Sequence, residues 1–572
     1  MGLAKFVRVA PASRGVVLIA VSRVMPDAAA VISVDHSDLT VDALVMVSID
    51  TIAVILAAAV AVDWWRGSGW TGWGLGLVCR GSVRSVRLMG RCCRRPPETF
   101  GAARWLGVRE AAGLGLLGDA GLIVGRLGRR LVRFGDVEGS VVVFAPQGAG
   151  KGVGIVVPNL LTYPGSVICT DPKGENFAVT ERQRRVFGPV YCLDVANPEH
   201  SHRFNPMDAL RRDDLVAVED CRRLAELLMP KGAHDEDDHW RKRSVSILTG
   251  FILHVLDQHG HEPDHCNLAI VDGLLSAPLA ELEETLEVML VSRQLVVRSM
   301  AGRLLASLDT EEGLNLLSNI SKGTEIWGEG RVLGRLGRHS DFELERDIAG
   351  RVGSLFLKVP EDMQAVYAPF MRVMVGLSLH AVARVGKVGV GDARPLFLLD
   401  EAAALGHIPE LEEGMGHLRA YARAVIVFQD LGQLRATYRK WQSVLANASC
   451  KVFFGVNDCD TAELVSRMLG ETTVEAPTFG LNLGADAVLS HHQNVGVSQA
   501  GRRLMLPSEV LGMGPDQMLV FLRGVRHPVL AERVRYFADR RFDGLWDRWR
   551  DGRQAPSALL IEHKPLRIGY GG

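Results

Sequence analysis

Short apolar runs alternate with amphipathic stretches through much of this chain. The run "SVVVFA" (140–145) is β-branched, apolar and closed by Pro146 and glycines, which predicts a buried strand. A helix is expected from near Gly150, ending before Pro164. "SVICT" (166–170) reads as the next strand, 174–184 as a helix, and "VYCLD" (190–194) as a third strand. Continuous apolar strands alternating with helices predict a mostly parallel sheet covered on both faces. From about Asp208 to His339 the period becomes helical, as in "DDLVAVEDCRRLAELL" and "HWRKRSVSILTGFILHVL". Strand runs resume at "VGSLFLKV" (352–359), "PLFLLD" (395–400), "AVIVFQ" (424–429), "KVFFGV" (451–456) and "QMLVFLRG" (517–524). An α/β domain interrupted by an all-α insertion follows from that order. Residues 98–138 are Gly-rich without a strong period, and 472–500 are polar and Gly-rich, which predicts a loop.

The N-terminal part has another pattern. Ala43–Val62 is twenty residues with one charge, Asp50, and is long enough to span a bilayer. Trp64, Trp65, Trp70 and Trp73 follow as an interfacial belt would. Seven arginines, Arg66 to Arg95, then precede the first acid, Glu98, and place that side in the cytoplasm. Residues 15–34 read either as a first membrane helix or as part of a signal peptide. Both readings leave the bulk of the chain cytoplasmic.

Composition narrows this little further. Lys and Arg number 65 against 66 Asp and Glu, so net charge gives no argument for nucleic acid or an anionic membrane, and any basic surface must be local. Nine scattered cysteines without a C-x-x-C pair argue against a disulfide framework and a zinc ribbon.

The chemistry concentrates at strand ends. "FAPQGAGKGVG" (144–154) lies between a predicted strand and a predicted helix, where backbone N–H groups face an anion. Against the G-x-x-x-x-G-K-[ST] pattern, Ala145 replaces the first glycine and Gly152 the hydroxyl residue. Gly148, Ala149, Gly150 and Gly152 let the backbone wrap closely, and Lys151 supplies charge to phosphates. "PLFLLDEAAALG" ends an apolar strand in Asp400 and Glu401; one acid suits Mg²⁺ and the next an attacking water. Gln429 ends the following strand as a candidate γ-phosphate sensor.

Taken together, "FGAARW" (100–105), "APQGAGKGVGIVVPNLLTYPGSVICTDPKGENFAVT" (145–180), "RFNPMDAL" (203–210), "LFLLDEAAALGHIPELEEG" (396–414), "VFQDLGQL" (427–434) and "RRLMLPSEV" (502–510) resemble the type IV coupling proteins, the TraG-like ATPases of conjugation and type IV secretion. The resemblance implies a RecA-like P-loop NTPase domain with an inserted all-α domain and an N-terminal transmembrane region. It implies an anchor over 1–66, a basic juxtamembrane and approach region over 67–138, and a nucleotide-binding domain in two parts, 139–208 and 341–540. Those parts flank an all-α domain over 209–340, and a tail occupies 541–572. ATP and Mg²⁺ are the implied cofactors. Lys151 would bind phosphate, Asp400 magnesium and Glu401 the attacking water, with Gln429 as sensor. Asp171 and Lys173 would line the site, and Arg419 would reach a neighbour's phosphates, with Arg423 as its nearby rival. The implied setting is the bacterial inner membrane, with the chain in a homo-oligomeric ring, a hexamer, on a type IV secretion channel. Its cargo is relaxase-bound single-stranded DNA or protein effectors; a nucleotide-dependent assembly scaffold is the non-hydrolysing alternative.

Overall fold

The computed structural model describes residues 16–20, 29–33, 98–135, 139–230, 238–260, 262, 264–386, 393–412, 420–481 and 493–549. The chain divides into two compact units, Met1–Pro97 and Glu98–Gly572. In the first, strands β1 (Val16–Ala20) and β2 (Ala29–Ser33) pair antiparallel with Val16 opposite Ser33. Residues 16–20 and 29–33 therefore depart from the membrane-helix alternative for 15–34. Pro26 and Asp27 stand between two short apolar runs, VVLIA and AAVIS, and each run is too short for a helix of its own. Ala43–Val62, the candidate span, lies outside the described residues.

The second unit is built on one mixed sheet. In chain order its strands are β3 (Leu122–Leu127), β4 (Arg130–Phe134), β5 (Ser140–Phe144), β6 (Val167–Thr170), β7 (Val190–Asp194), β8 (Ser354–Lys358), β9 (Leu396–Leu399), β10 (Arg423–Phe428) and β11 (Ala448–Phe453). A separate ribbon, β12 (Glu471–Leu481) with β13 (Gln493–Arg503), precedes β14 (Gln517–Leu522) and β15 (Val529–Glu532). The eleven strands lie in the order β4-β3-β15-β14-β11-β5-β10-β9-β6-β8-β7. From β11 to β7 every pairing is parallel; from β11 to β4 every pairing is antiparallel.

The apolar runs follow from burial on both faces. Val142, Phe144, Ile168, Leu399, Ile426 and Phe428 point into one core. Their strand neighbours Val141, Val143, Val167, Cys169, Leu398, Val425 and Val427 point into the other. Period-two geometry sends alternate side chains to opposite faces, and helices cover both. The described residues between β7 and β8 form helices and turns, from Asp214–Leu228 to Val332–Leu336, as the periodicity there predicts.

Two regions differ from the sequence reading. Strands β3 and β4 form a hairpin within the Gly-rich approach region, turned at Gly128 with φ of 62°. The stretch expected as a loop at 472–500 holds the β12–β13 ribbon, paired over eleven residues a side. Polar side chains hide such a ribbon from any reading of hydrophobic period. Among the described residues one helix, Glu361–Val385, is long and apolar enough to cross a bilayer. It is a core helix: Phe370, Val373, Met374, Val375 and Leu379 are buried, and Arg372 Nε donates to the Leu227 carbonyl at 2.6 Å.

Candidate nucleotide-binding site

The predicted chemistry gathers at the C-terminal ends of the parallel strands, the edge where ligands bind in open α/β sheets. Register brings it there. Phe144 of β5 stands beside Phe428 of β10, and Leu399 of β9 beside Ile426, so three strands end nearly level. Phe144, Phe428 and Phe453 stack beneath them, at 6.2 and 5.0 Å between ring centroids. The loop after β5 carries Lys151, the turn after β9 carries Asp400 and Glu401, and Gln429 directly follows β10, which lies between them.

The loop itself turns at Gly148 and Gly150, with φ of 80° and 86°, a region that side chains other than glycine rarely enter. The Ala149 N–H donates to the Pro146 carbonyl at 3.1 Å. Gly455, after β11, packs against Ala149 so closely that a Cβ there would lie 2.9 Å from the alanine Cβ. Gly152 opens the helical segment Gly152–Thr162, and a Cβ at Gly152 would meet nothing within 4 Å.

Lys151 Nζ lies 2.8 Å from Asp400 Oδ1 and 2.8 Å from Glu401 Oε2. All three side chains are largely buried. Burial alone would lower the lysine pKa, but the two carboxylates outweigh it and leave it raised. Burial raises Asp400, against the pull of Lys151. Burial would raise Glu401 too, yet Lys151 and two glutamine amides hold it below its ordinary value. Gln429 Nε2 donates to Glu401 Oε1 at 2.6 Å, and Gln433 Nε2 donates to the same oxygen at 3.2 Å. Glu401 has φ of 61° and ψ of 55°, the sole positive φ outside glycine among the described residues. That conformation costs about 1–2 kcal/mol, and strain of this kind concentrates at functional sites. The Thr170 hydroxyl donates to the Asp400 carbonyl at 2.8 Å and ties the tips of β6 and β9.

The remaining residues divide. Asp171 is buried, which pushes its carboxyl up to about 7, and it accepts from the Phe177 and Asn176 N–H groups at 2.8 and 3.3 Å. It starts the helix Glu175–Phe187. Lys173 sits 3.6 Å from Glu361, whose other oxygen accepts from Gln147 Nε2 at 3.2 Å. Arg419 lies outside the described residues. Arg423 stands at the opposite end of β10 from Gln429, buried, with Nη2 donating to the Gly135 carbonyl at 3.0 Å.

Three residues at this edge carry no mark in the sequence reading. Gln433 could have been found: it lies four residues after Gln429 on a helix started by Asp430, which accepts from its N–H at 2.8 Å. Glu361 and Arg533 come from distant segments and have no local signal. Arg533 Nη1 donates to the Ala149 carbonyl from behind the loop.

A divalent cation fits here. Asp400 Oδ1 is buried and has no aligned hydrogen bond, although it is ion-paired to Lys151. Among the described residues no group of three or more His, Cys, Asp or Glu could hold a metal. A cation at this edge would thus take most of its ligands from oxygens that are not these carboxylates', as Mg²⁺ on phosphates does.

Fold and site together define an α/β protein with a glycine-rich, lysine-bearing turn facing two acids at the C-terminal edge of a parallel sheet. The chain belongs to the family described as "Type IV secretory system Conjugative DNA transfer", whose profile matches residues 107–556; it is a type IV coupling protein. It is 29% identical over 499 residues to VirD4 of Rhizobium radiobacter, covering 82% of this chain and 68% of that protein. It is 28% identical over 398 residues to the conjugal transfer protein TraG of Escherichia coli, covering 66% of this chain. The chain spans about 62% of the length of that TraG. Among solved structures, the unbound bacterial conjugative coupling protein TrwBΔN70 matches with a TM-score of 0.57 at 19% identity, over 77% of this chain and 94% of that one. TrwB in complex with ADP and Mg²⁺ matches with a TM-score of 0.57 at 19% identity, over 78% and 98%. At such identity the likeness is one of fold: a large mixed sheet with many helices.

Proposed function

We propose that this chain is a motor ATPase with a RecA-like P-loop domain, which couples relaxase-bound single-stranded DNA to a type IV secretion channel and drives its transfer by ATP hydrolysis. The observation that carries this reading is the meeting of Lys151 with both Asp400 and Glu401 at 2.8 Å, across three adjacent parallel strands. Membership of the coupling-protein family and the ADP–Mg²⁺ complex of TrwB support it.

In this reading the loop 148–152 cradles phosphates with its N–H groups and Lys151 turns from the acids to the β- and γ-phosphates. Asp400 would hold Mg²⁺, which when bound neutralises phosphate charge. Glu401, kept ionised by its partners and aimed by its backbone, positions and deprotonates the attacking water. Gln429 holds that carboxylate in place and senses the γ-phosphate. Asp171 shapes the neighbouring turn, and Lys173 stands at its rim. The nucleotide-binding domain comprises 139–208 and 341–540, with 209–340 as the helical insertion. Residues 1–66 anchor the chain in the inner membrane, its bulk in the cytoplasm. Subunits assemble into a ring, hexameric by family, with Arg419 completing a neighbour's site.

The test is nucleotide binding and turnover by the purified chain in detergent. Wild type should bind ATP and hydrolyse it with Mg²⁺, and Lys151→Ala should lose binding. Glu401→Gln should bind ATP yet turn over at least ~10²-fold more slowly, as expected on losing a general base. A wild type that binds no ATP would sink the reading. Binding without turnover would replace the motor with a nucleotide-dependent assembly scaffold.

A further inference from the structure

The back of the phosphate loop is closed by a residue from the far end of the chain. Arg533 follows β15, and its N–H donates to the Asp516 carbonyl at 2.7 Å. Its side chain runs under the first helical turn. Nη1 donates to the Ala149 carbonyl and Nη2 pairs with Asp516 Oδ1 at 3.0 Å. Asp516 Oδ2 is held in turn by Arg535 at 2.6 Å. The guanidinium is thereby fixed on one side by an ion pair and spends its other arm on a loop carbonyl.

Two glycines make room for it. A Cβ at Gly150 would lie 2.9 Å from Arg533 Cζ, and a Cβ at Gly154 would lie 2.7 Å from its Cγ. Gly150 is already required by its φ of 86°. Gly154 is not: its backbone is helical, its N–H donates to the Gly150 carbonyl at 2.9 Å, and the phosphate-loop pattern makes no demand there. The arginine explains that glycine. Val153, between them, packs with Val534 and Tyr536, which holds the same segment along the helix.

We infer that Arg533 is a positioning residue of the phosphate loop. It draws the Ala149 carbonyl backward, so that the neighbouring N–H groups point forward to the anion before any ligand arrives. Preorganised donors bind without a reorganisation cost at the moment of binding. The inference rests on the nucleotide reading of the site for its purpose, though not for the contact itself. Lysine is a poor substitute, because a single ammonium lacks the planar fork that spans a carbonyl and a carboxylate together.

The experiment compares wild type with Arg533→Ala, Arg533→Lys and Gly154→Ala, using the whole chain in detergent. Backbone hydrogen exchange and ATP affinity are read in parallel. Losing a charge-assisted hydrogen bond should speed exchange of the amides at 148–152 and weaken ATP binding about tenfold in Arg533→Ala. Arg533→Lys should fall between that variant and wild type. Gly154→Ala, which displaces the arginine without removing it, should move both readouts the same way. Amides of β5 and β14 should keep wild-type protection in all three, which a merely structural arginine would not allow. Wild-type exchange at 148–152 in Arg533→Ala would overturn the inference, as would protection lost throughout the sheet. Should wild type itself bind no ATP, the nucleotide reading fails, while the exchange arm still decides whether Arg533 holds the loop.

Discussion

Lys151→Ala should cost stability as well as binding, and the cost should depend on pH in a defined sense. In the nucleotide-free chain Lys151 is ion-paired to both Asp400 and Glu401, and the three side chains are only 10–16% exposed. Removing one member of a buried ionic set costs about 3–5 kcal/mol. The Gln429 and Gln433 amides stay on Glu401, so the lower end, about 3 kcal/mol, applies here. For a unit this large melting cooperatively, that is roughly 3 °C in Tm. The sign with pH follows from the shifts. Glu401 lies below its ordinary value, so its stabilisation is present above that value and lost as pH falls through the folded one. Asp400 is already raised, so its ionised form destabilises the fold above its folded pKa. Without Lys151 the Asp400 carboxyl rises further and Glu401 loses the charge that holds it down, and acid relieves the variant by protonating them. The deficit should be full at neutral pH and shrink toward the carboxylate range. Urea unfolding of both proteins across that range is the assay. Equal stability at neutral pH, or a deficit that widens in acid, would refute the arrangement.

Gly152→Ser should fold as wild type does, because a Cβ there meets nothing within 4 Å, and should tighten Mg²⁺-dependent ATP binding by restoring the hydroxyl that phosphate loops usually carry; titration of Mg²⁺ at fixed ATP checks this. Arg184→Ala should destabilise by about 3 kcal/mol, since Arg184 is wholly buried and donates to the Gly165 carbonyl at 2.7 Å and the Ser354 hydroxyl at 2.8 Å, and its removal leaves those buried acceptors unsatisfied. Burial lowers its pKa only to about 9, so it stays charged at neutral pH, and a denaturant titration there reads the loss. For the ring, Arg419→Ala mixed with Lys151→Ala should recover ATPase activity above either variant alone, since some interfaces then carry both intact halves. A mixture as inactive as its parts, with subunit exchange verified, would remove Arg419 from the neighbour's site.

The central strands were legible because each is buried on both faces. Such positions call for short, largely apolar runs, so β5, β6, β9, β10 and β11 announce themselves. The helical insertion was equally clear, because a stripe of apolar residues at helical spacing has one economical burial. Lys151, Asp400, Glu401 and Gln429 could be named in advance, because chemistry on a parallel sheet sits where strands end. The β3–β4 hairpin and the β12–β13 ribbon leave no such pattern in the sequence. Glycines at 121, 125 and 128 break up the buried apolar residues of the hairpin, and the ribbon is held by backbone pairing between segments with no regular apolar alternation, so hydrophobic period carries little record of either.

Local residue pattern dictates which elements form and which residue types stand at their ends. Which of those ends touch is a matter of strand order. Lys151 and Glu401 are 250 residues apart, and Ala149 and Arg533 are 384 apart. Neither distance is visible in a local pattern. The strand order sets both: β10 inserts between β5 and β9 and aims Gln429 at Glu401, and the antiparallel edge brings Arg533 behind the loop. The left-handed backbone of Glu401 belongs to the same category. Glutamate has no local preference for it, and only the surrounding hydrogen bonds and ion pair hold the residue there.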